Sequence, residues 1–276
     1  MNNPTKSPLR WAGGKTRMLN ALVPHLESQG RLIEPFVGAG SVFMALPKRE
    51  AIINDANNDL VRFYEALKYR TQDLVAHTKP LFTSVNCSDE AYKQLRARFN
   101  ESTCSLERAA LLLYLNRFGF NGLYRVNRKG VFNTPYGHFK NAPRFPERDI
   151  LAMAERLRSV TLLPSGDFTN ALQLAREGDV VYCDPPYLDI STVEKSFTAY
   201  TAGAFSIADH KRLVAHAWAA AERGAKVVLS NHDSDQAREL YRGMELHIVD
   251  VRRSLAASSA HRKSARELVA ILKVAR

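Results

Sequence analysis

The chain is poor in cysteine and has no long apolar run, and both absences exclude classes of protein. Cys87, Cys104 and Cys183 are an odd number, lie far apart and form no CxxC pair, so we expect reduced, structural thiols. No apolar run approaches the ~20 residues that cross a bilayer, and the start of the chain lacks the apolar core of a signal peptide. We therefore expect a cytoplasmic protein with no membrane partner and no metal.

Acidic residues are scarce in one stretch of a basic chain. The 276 residues carry a net charge of +11, which favours a polyanionic partner without identifying it. Residues 117–148 contain seven Arg and Lys residues, and Glu147 is the lone acid among them. This stretch is a candidate for contact with phosphates. A second basic group, at residues 252–266, is equally well explained as a solvated face.

Short apolar runs rich in β-branched residues alternate with helical patterns along the chain. This alternation predicts an α/β fold with a mainly parallel, doubly wound sheet, in which the last two strands form an antiparallel pair. Strands are predicted at residues 31–36, 51–54, 160–163, 180–183, 226–230, 246–251 and 268–274.

The interval between the second and third predicted strands is too long for a single crossover. Its first part has apolar residues at helical spacing, and its second part, with a hairpin near residues 117–140, is rich in Gly, Asn and Pro. We predict an inserted, mostly helical domain at residues 57–150, between the two parts of a sheet domain at residues 1–56 and 151–276.

The first predicted strand leads into a glycine-rich turn, EPFVGAGSVF. Gly38 and Gly40 allow a tight turn and the close approach of a ligand, but Phe43 stands where a dinucleotide-binding GxGxxG has its third glycine. Asp55, at the end of the second strand, is placed to accept hydrogen bonds from ribose hydroxyls. The pattern favours a nucleoside-containing ligand without a phosphate cradle. A plain strand-to-helix turn explains the two glycines as well.

The N-terminal LRWAGGKT ends like a phosphate-binding P-loop but does not fit that template. Leu9 occupies the position of the first glycine, and no strand precedes it. Lys15 would suit a carboxylate-bearing ligand as a cation, and Trp11 would form a flat apolar wall. Both residues are equally compatible with ordinary surface or packing positions.

The apolar run at 180–183 ends in Asp184-Pro185-Pro186-Tyr187, a rigid group displayed at the end of a strand. Open α/β sheets bind their ligands at this edge. The carboxylate and a backbone carbonyl are acceptors, and the tyrosine ring is a stacking surface. Two acceptors that hold the protons of an aromatic amine draw its nitrogen toward tetrahedral geometry and free its lone pair for attack. The alternative is a rigid turn that only caps the strand.

These segments together resemble the DNA adenine methyltransferase (Dam) family, from about residue 9 to residue 270. Their order is cofactor motif, target-recognition insert and catalytic motif, and RFGFNGLYR with FNTPYG is the most family-specific part. The resemblance is carried by LRWAGGKTRML, EPFVGAGSVF, INDANNDL, LNRFGFNGLYRVNRKGVFNTPYG, VVYCDPPY, FTAY and VLSNHDS.

The resemblance implies a Rossmann-like, S-adenosylmethionine-dependent methyltransferase sheet with an inserted DNA-recognition domain. It implies methyl transfer to N6 of adenine in double-stranded DNA, usually within GATC, by a monomer associated with the nucleoid. Asp184 and the Pro185 carbonyl would accept hydrogen bonds from the target amine, and Tyr187 would stack on the base. The implied cofactor-binding residues are Trp11, Lys15, Glu34, Gly38, Gly40, Asp55, Asp167, Phe168 and Asp184.

A base inside a duplex must be flipped out to reach such a site, at a cost of a few kcal/mol. Phe120 is the expected wedge, since stacking on an aromatic ring is worth about 1–3 kcal/mol per base. Arg125 is expected to contact a guanine through O6 and N7. The implied DNA-binding residues are Arg10, Arg117, Phe120, Asn121, Leu123, Arg125, Pro135 and His138.

Three residues depart from the family's pattern. Arg10 and His138 stand where a lysine and an arginine are familiar, and Phe120 takes a place often held by tyrosine. The change at His138 weakens a base or phosphate contact at neutral pH. Two alternatives stay open from the sequence. One is an amino-methyltransferase for another DNA site or for cytosine N4, and the other is a sequence-specific DNA-binding module without catalysis.

Overall fold

The computed structural model describes residues 6–46, 50–188, 205–252 and 264–273. Within these residues seven strands form one sheet: β1 (Leu32–Glu34), β2 (Ala51–Ile53), β3 (Val160–Leu162), β4 (Val180–Cys183), β5 (Lys226–His232), β6 (Glu245–Arg252) and β7 (Ser264–Leu272). Their order across the sheet is β3-β2-β1-β4-β5-β7-β6. The first five strands run parallel, and β7 is antiparallel to both β5 and β6. The predicted α/β fold and its antiparallel last pair are confirmed.

Helices cover both faces of this sheet and fill the long interval between β2 and β3. The described α-helices are α1 (Leu19–Leu22), α2 (Ser41–Ala45), α3 (Asn58–Tyr69), α4 (Thr71–Thr78), α5 (Asp89–Glu101), α6 (Ser105–Phe118), α7 (Glu147–Leu157), α8 (Thr169–Leu172), α9 (Ile207–Glu222) and α10 (Asp235–Leu240). None of them has the length and apolar character needed to span a bilayer.

The side chains of β4 show why the sequences of the inner strands are unbroken apolar runs. Val180 and Tyr182 pack into the apolar cluster on one face of the sheet, and Val181 and Cys183 pack into the cluster on the other. Successive residues of a strand point to opposite faces, so a strand covered on both sides needs apolar residues at every position.

The segment between β2 and β3 consists of α3 to α7 and a hairpin between α6 and α7. α6 is buried on nearly all sides, and α3, α4 and α5 pack around it. Two antiparallel bridges, Gly119 with Tyr136 and Val126 with Phe132, join the arms of the hairpin. The boundary predicted at residue 150 falls inside α7. The assignment of this segment as a separate domain stays a prediction.

The observed bounds of strands β5 and β7 differ from the predicted ones. β5 continues to His232, and β7 begins at Ser264, four residues before the predicted start at 268. Asn231 pairs with Leu268 and His232 with Glu267 in the antiparallel ladder between them. Polar residues such as these have low strand propensity, and it is the pairing that makes them strand residues.

A nearly buried ion pair links α3 to α6. Oδ1 of Asp59 accepts hydrogen bonds from Nε and Nη2 of Arg108 at 2.9 and 2.8 Å. The two side chains are 11% and 15% exposed. Oδ2 of Asp59 accepts a third hydrogen bond, from Oη of Tyr124 in the hairpin, at 2.8 Å. This carboxylate therefore joins two helices and the hairpin.

Asp59→Ala is expected to lower the free energy of unfolding by about 3–5 kcal/mol, because it leaves the guanidinium of Arg108 buried without its carboxylate. Asp73→Ala is the matched control. Asp73 also lies in the first turn of a helix, but it and its partner Arg70 are 52% and 56% exposed, so we expect a loss below about 1 kcal/mol. Urea denaturation measures both losses. Equal losses would contradict a structural role for the buried pair.

Candidate active site

The carboxyl ends of the parallel strands bring the predicted site residues to one edge of the sheet. β1 leads into the glycine turn, its neighbour β2 ends just before Asp55, and its other neighbour β4 ends just before Asp184. Parallel neighbours end at the same edge, and this is where open α/β sheets bind ligands.

The glycine turn after β1 is braced by two side chains. Gly38 and Gly40 have φ angles of 50° and 73°, which glycine adopts without strain. The N–H of Gly38 donates to Oδ2 of Asp55 over 3.0 Å, and its carbonyl accepts from Oη of Tyr64 over 2.7 Å. Burial raises the pKa of Asp55, and hydrogen bonds from the N–H groups of Asn57 and Gly38 oppose that shift. Asp55 thus holds the turn, a role that the sequence did not predict.

Both carboxylate oxygens of Asp184 accept hydrogen bonds from protein side chains. Nζ of Lys15 lies 2.8 Å from Oδ2, and Oγ of Ser230 donates to Oδ1 over 2.8 Å. Lys15 also donates to the carbonyl of Gly13 at 2.8 Å, and Oγ of Ser230 lies 3.0 Å from Oη of Tyr182. The sequence predicts that Lys15 pairs with the carboxylate of a ligand. In the structure Lys15 pairs with the carboxylate of Asp184. These contacts fix the direction in which the carboxylate points.

The ring of Tyr187 is held on three sides. Its hydroxyl donates to Oε2 of Glu267 over 2.6 Å. The ring of His232 meets it edge-on with centroids 4.6 Å apart, and Nζ of Lys15 lies 4.7 Å from the ring centroid. Pro185, two residues before it, is buried. Asp184 and Tyr187 are thus held by residues of β5, β7 and the N-terminal segment.

An aromatic wall stands beside the glycine turn. Trp11 stacks on Tyr124 with ring centroids 5.6 Å apart and planes 28° from parallel. A Cβ atom at Gly38 would lie 3.2 Å from Cδ1 of Trp11, so the indole and the turn are in close contact. Glu34, the last residue of β1, is only 2% exposed at the same edge.

A second aromatic group lies on the other side of the turn. Phe36 stacks on Phe168 at 5.4 Å, and Phe205 packs against both at 5.7 Å. The guanidinium of Arg212 lies 4.6 Å from the centroid of the Phe168 ring and donates from Nη2 to Oδ2 of Asp167 over 2.8 Å. The predicted pair Asp167 and Phe168 is therefore brought to the site together with three side chains that were not predicted.

The predicted DNA-binding residues divide into two sets. Phe120 is 44% exposed beside the start of the hairpin, and its N–H donates to the carbonyl of Pro135 over 2.9 Å. Arg117 is turned inward, with Nη1 3.4 Å from the carbonyl of Pro8, and burial lowers the pKa of its guanidinium. The exposed set is Arg10, Phe120, Asn121, Pro135 and His138, and the partly buried set is Arg117, Leu123 and Arg125.

Two of these arginines have defined neighbours. Arg125 donates from Nε to the side-chain oxygen of Asn133 over 2.7 Å and from Nη2 to its carbonyl over 2.8 Å, which fixes the guanidinium plane. The backbone of Arg10 exchanges hydrogen bonds with the side chain of Asn116. A Cβ atom at Gly122 would lie 2.5 Å from Cβ of Arg10. Position 122 therefore requires glycine for the close contact between the hairpin and the N-terminal segment.

Several contacts of the site were missed by the sequence reasoning, among them those of Ser230, Tyr124, Glu267 and Arg212. Ser230 lies in VLSNHDS and Tyr124 in RFGFNGLYR, two segments that carry the resemblance, so a signal for them existed. Glu267 and Arg212 lie in no motif of the sequence. Their partners, Tyr187 and Asp167, lie 80 and 45 residues away in the chain.

Comparison with known proteins identifies the family of the chain. Residues 11–255 match the D12 class N6 adenine-specific DNA methyltransferases. The chain belongs to this family. It is 40% identical over 266 residues to the DNA adenine methylase of Escherichia coli (strain K12), a match that covers 96% of this chain and 94% of that protein.

Two further relatives carry the same name. The DNA adenine methylase of Serratia marcescens is 41% identical over 266 residues, which cover 95% of this chain and 97% of that protein. That of Vibrio cholerae serotype O1 is 39% identical over 264 residues, which cover 95% and 94%. The D12 methyltransferase described here is thus an enzyme that methylates N6 of adenine in DNA. The cytosine N4 and the non-catalytic alternatives are set aside.

Gly40→Ala is expected to destabilise this D12 methyltransferase by about 2–4 kcal/mol, from the strain of a left-handed alanine and from overpacking. The added Cβ would lie 2.3 Å from Cε1 of Phe43 and 2.8 Å from Oη of Tyr64. Gly130→Ala is the matched control, with a φ of 76° and no atom of the described residues within 4 Å. It carries the backbone strain alone, about 1 kcal/mol. Thermal unfolding of both variants tests this, and equal losses would contradict the steric argument.

Proposed function

We propose that the enzyme transfers the methyl group of S-adenosylmethionine to N6 of an adenine flipped out of duplex DNA, within GATC. The observation that carries the proposal is the arrangement around Asp184. Its carboxylate is held by Lys15 and Ser230 at the end of β4, and the neighbouring strand β1 leads into the glycine turn. An oriented acceptor therefore lies beside a turn suited to a nucleoside.

The chemistry of the side chains at this edge fits S-adenosylmethionine. Phe36, which stacks on the buried ring of Phe168, offers an apolar face to an adenine ring, and Trp11 offers a flat wall. Asp167 and Asp55 can accept hydrogen bonds from an amine and from ribose hydroxyls. When bound, the cofactor supplies an electrophilic methyl group on a sulfonium sulfur, which becomes a neutral thioether. The other proposed cofactor-binding residues are Lys15, Glu34, Gly38, Gly40 and Asp184.

The reaction requires activation of the amine, because the lone pair of an aromatic amine is delocalised into its ring. In the proposed mechanism Asp184 and the carbonyl of Pro185 accept hydrogen bonds from the two N–H groups of the amine. The nitrogen then approaches tetrahedral geometry, and its lone pair forms the new N–C bond as the S–C bond breaks. The nitrogen afterwards releases one proton to solvent, so the step is balanced without a covalent bond to the protein.

The hairpin supplies a basis for base flipping and site recognition. Tyr187 is proposed to stack on the flipped adenine, and the exposed ring of Phe120 to fill the space that the base leaves. Arg125, with its guanidinium plane held by Asn133, is proposed to contact a guanine of GATC. The assignment of GATC rests on the resemblance of the recognition segment.

Basic residues are proposed to supply much of the affinity for DNA. The net charge of +11 and the basic residues at 117–148 favour phosphate contacts, which supply much of the affinity for DNA.

We infer a monomer in solution that is located in the cytoplasm and associated with the nucleoid through DNA.

Methyl transfer from tritium-labelled S-adenosylmethionine is expected in a duplex that contains GATC and not in a matched duplex with GTTC. The rate ratio is expected to exceed about 10, since GTTC removes the target adenine from one strand and, in the other strand, replaces a base pair whose recognition is worth about 1–3 kcal/mol. Hydrolysis of the labelled product is expected to give N6-methyladenine. Equal labelling of the two duplexes would refute the proposed site.

Asp184→Ala is expected to retain DNA binding and to lose methylation by about 100-fold or more, the usual effect of removing one oriented hydrogen-bonding group from a reaction site. Asp179→Ala is the matched control. Asp179 is 2% exposed, pairs with Arg31 and lies next to the opposite end of β4, so its loss also breaks a buried ion pair but leaves the site intact. Filter binding and single-turnover labelling measure both variants. Wild-type turnover in Asp184→Ala would contradict the mechanism.

A further inference from the structure

The hydroxyl of Tyr187 is bound by a carboxylate that lies outside residues 11–255, the span that matches the family. Oη of Tyr187 donates to Oε2 of Glu267 over 2.6 Å. Glu267 lies on β7, in register with His232 of β5, whose ring meets the edge of Tyr187 at 4.6 Å. One row of the antiparallel ladder between β5 and β7 therefore supplies both contacts.

A stacking residue must present its ring in one orientation before the base arrives. The two prolines before Tyr187 limit the backbone at one end of the side chain. At the other end the hydrogen bond to Glu267 restricts the swing of the ring about χ1. A hydrogen bond from a hydroxyl to a carboxylate is about twice as strong as one between neutral groups. A partner on a paired strand is also more precisely placed than one on a loop.

We propose that Glu267 is a positioning residue for methyl transfer, which holds Tyr187 in the orientation that receives the flipped adenine. The inference rests on the proposed stacking role of Tyr187. Glu267 does not touch the reacting atoms, and it acts through the phenol hydroxyl alone. Strand β7, the last of the described strands along the chain, then contributes to the reaction as well as to the fold.

A double-mutant cycle between Glu267→Ala and Tyr187→Phe tests this route. Each single variant is expected to lower the single-turnover methylation rate about tenfold, and the double variant no further than either, because both remove the same hydrogen bond. Dissociation constants for a GATC duplex are expected to stay within about threefold of the wild type, since much of the affinity comes from phosphate contacts that neither residue makes. With 2-aminopurine at the target adenine, both variants are expected to show a smaller change of fluorescence on binding.

The controls separate a positioning role from a structural one. Glu267→Gln keeps an acceptor oxygen and is expected to restore the methylation rate to within about threefold of the wild type. Glu245→Ala, at an exposed glutamate on β6 of the same sheet, is expected to leave the rate unchanged. Thermal unfolding verifies that each variant folds. If Glu267→Ala does not fold, Glu267→Met, which keeps the length of the side chain, replaces it in the cycle.

Two results would overturn the inference. One is wild-type methylation by Glu267→Ala. The other is a double variant slower than Tyr187→Phe by the full factor that Glu267→Ala shows alone, which would mean that the two residues act independently. Tyr187→Ala tests the underlying proposal separately. A wild-type rate in that variant overturns the stacking role and the inference together, whereas a slow Tyr187→Ala with an additive cycle overturns the inference alone.

Discussion

The ion pair between Lys15 and Asp184 is the interaction on which the site depends. Lys15 belongs to the N-terminal segment, Asp184 follows β4, and the second donor to the carboxylate, Ser230, lies on β5. The two charged side chains are 6% and 18% exposed, so their attraction is stronger than at a surface and their positions are defined. In the proposed mechanism a carboxylate oriented in this way needs no rearrangement during the reaction, which is the condition for electrostatic catalysis.

Helix α3 joins the glycine turn to the hairpin. Near the middle of the helix, Tyr64 donates a hydrogen bond to the carbonyl of Gly38. In its first turn, Asp59 accepts one from Tyr124, whose ring stacks on Trp11 beside the same turn. The residues proposed to bind the cofactor and the hairpin proposed to bind DNA therefore share one rigid support. A displacement of the hairpin would therefore also move Trp11, which forms the wall of the proposed cofactor site.

The sequence was sufficient to predict the sheet and the position of the DPPY group at its edge, but not the side chains that contact this group. The inner strands are unbroken apolar runs, and Asp184 follows one of them at the edge where ligands bind, so local pattern and topology agreed. Ser230 and Glu267 meet Asp184 and Tyr187 across 46 and 80 residues of chain, and only the pairing of β5 with its neighbours brings them there. Arg117 is predicted to bind DNA from the resemblance, and its inward direction, toward the carbonyl of Pro8, depends on the packing of α6 and has no signal in the sequence.

The length of the N-terminal segment limits the distance between recognition and chemistry. Trp11 contacts Tyr124 of the hairpin, and Lys15 contacts Asp184. Four residues of extended chain span at most about 14 Å between their Cα atoms, and the side chains of Trp11 and Lys15 add to the separation of the two contacts. The N–H of Gly14 donates to the carbonyl of Trp11 over 3.2 Å, so the segment forms a turn and its backbone is shorter than this limit. The hairpin proposed to bind DNA and the carboxylate proposed to bind the target amine are therefore joined by a short, folded stretch of chain.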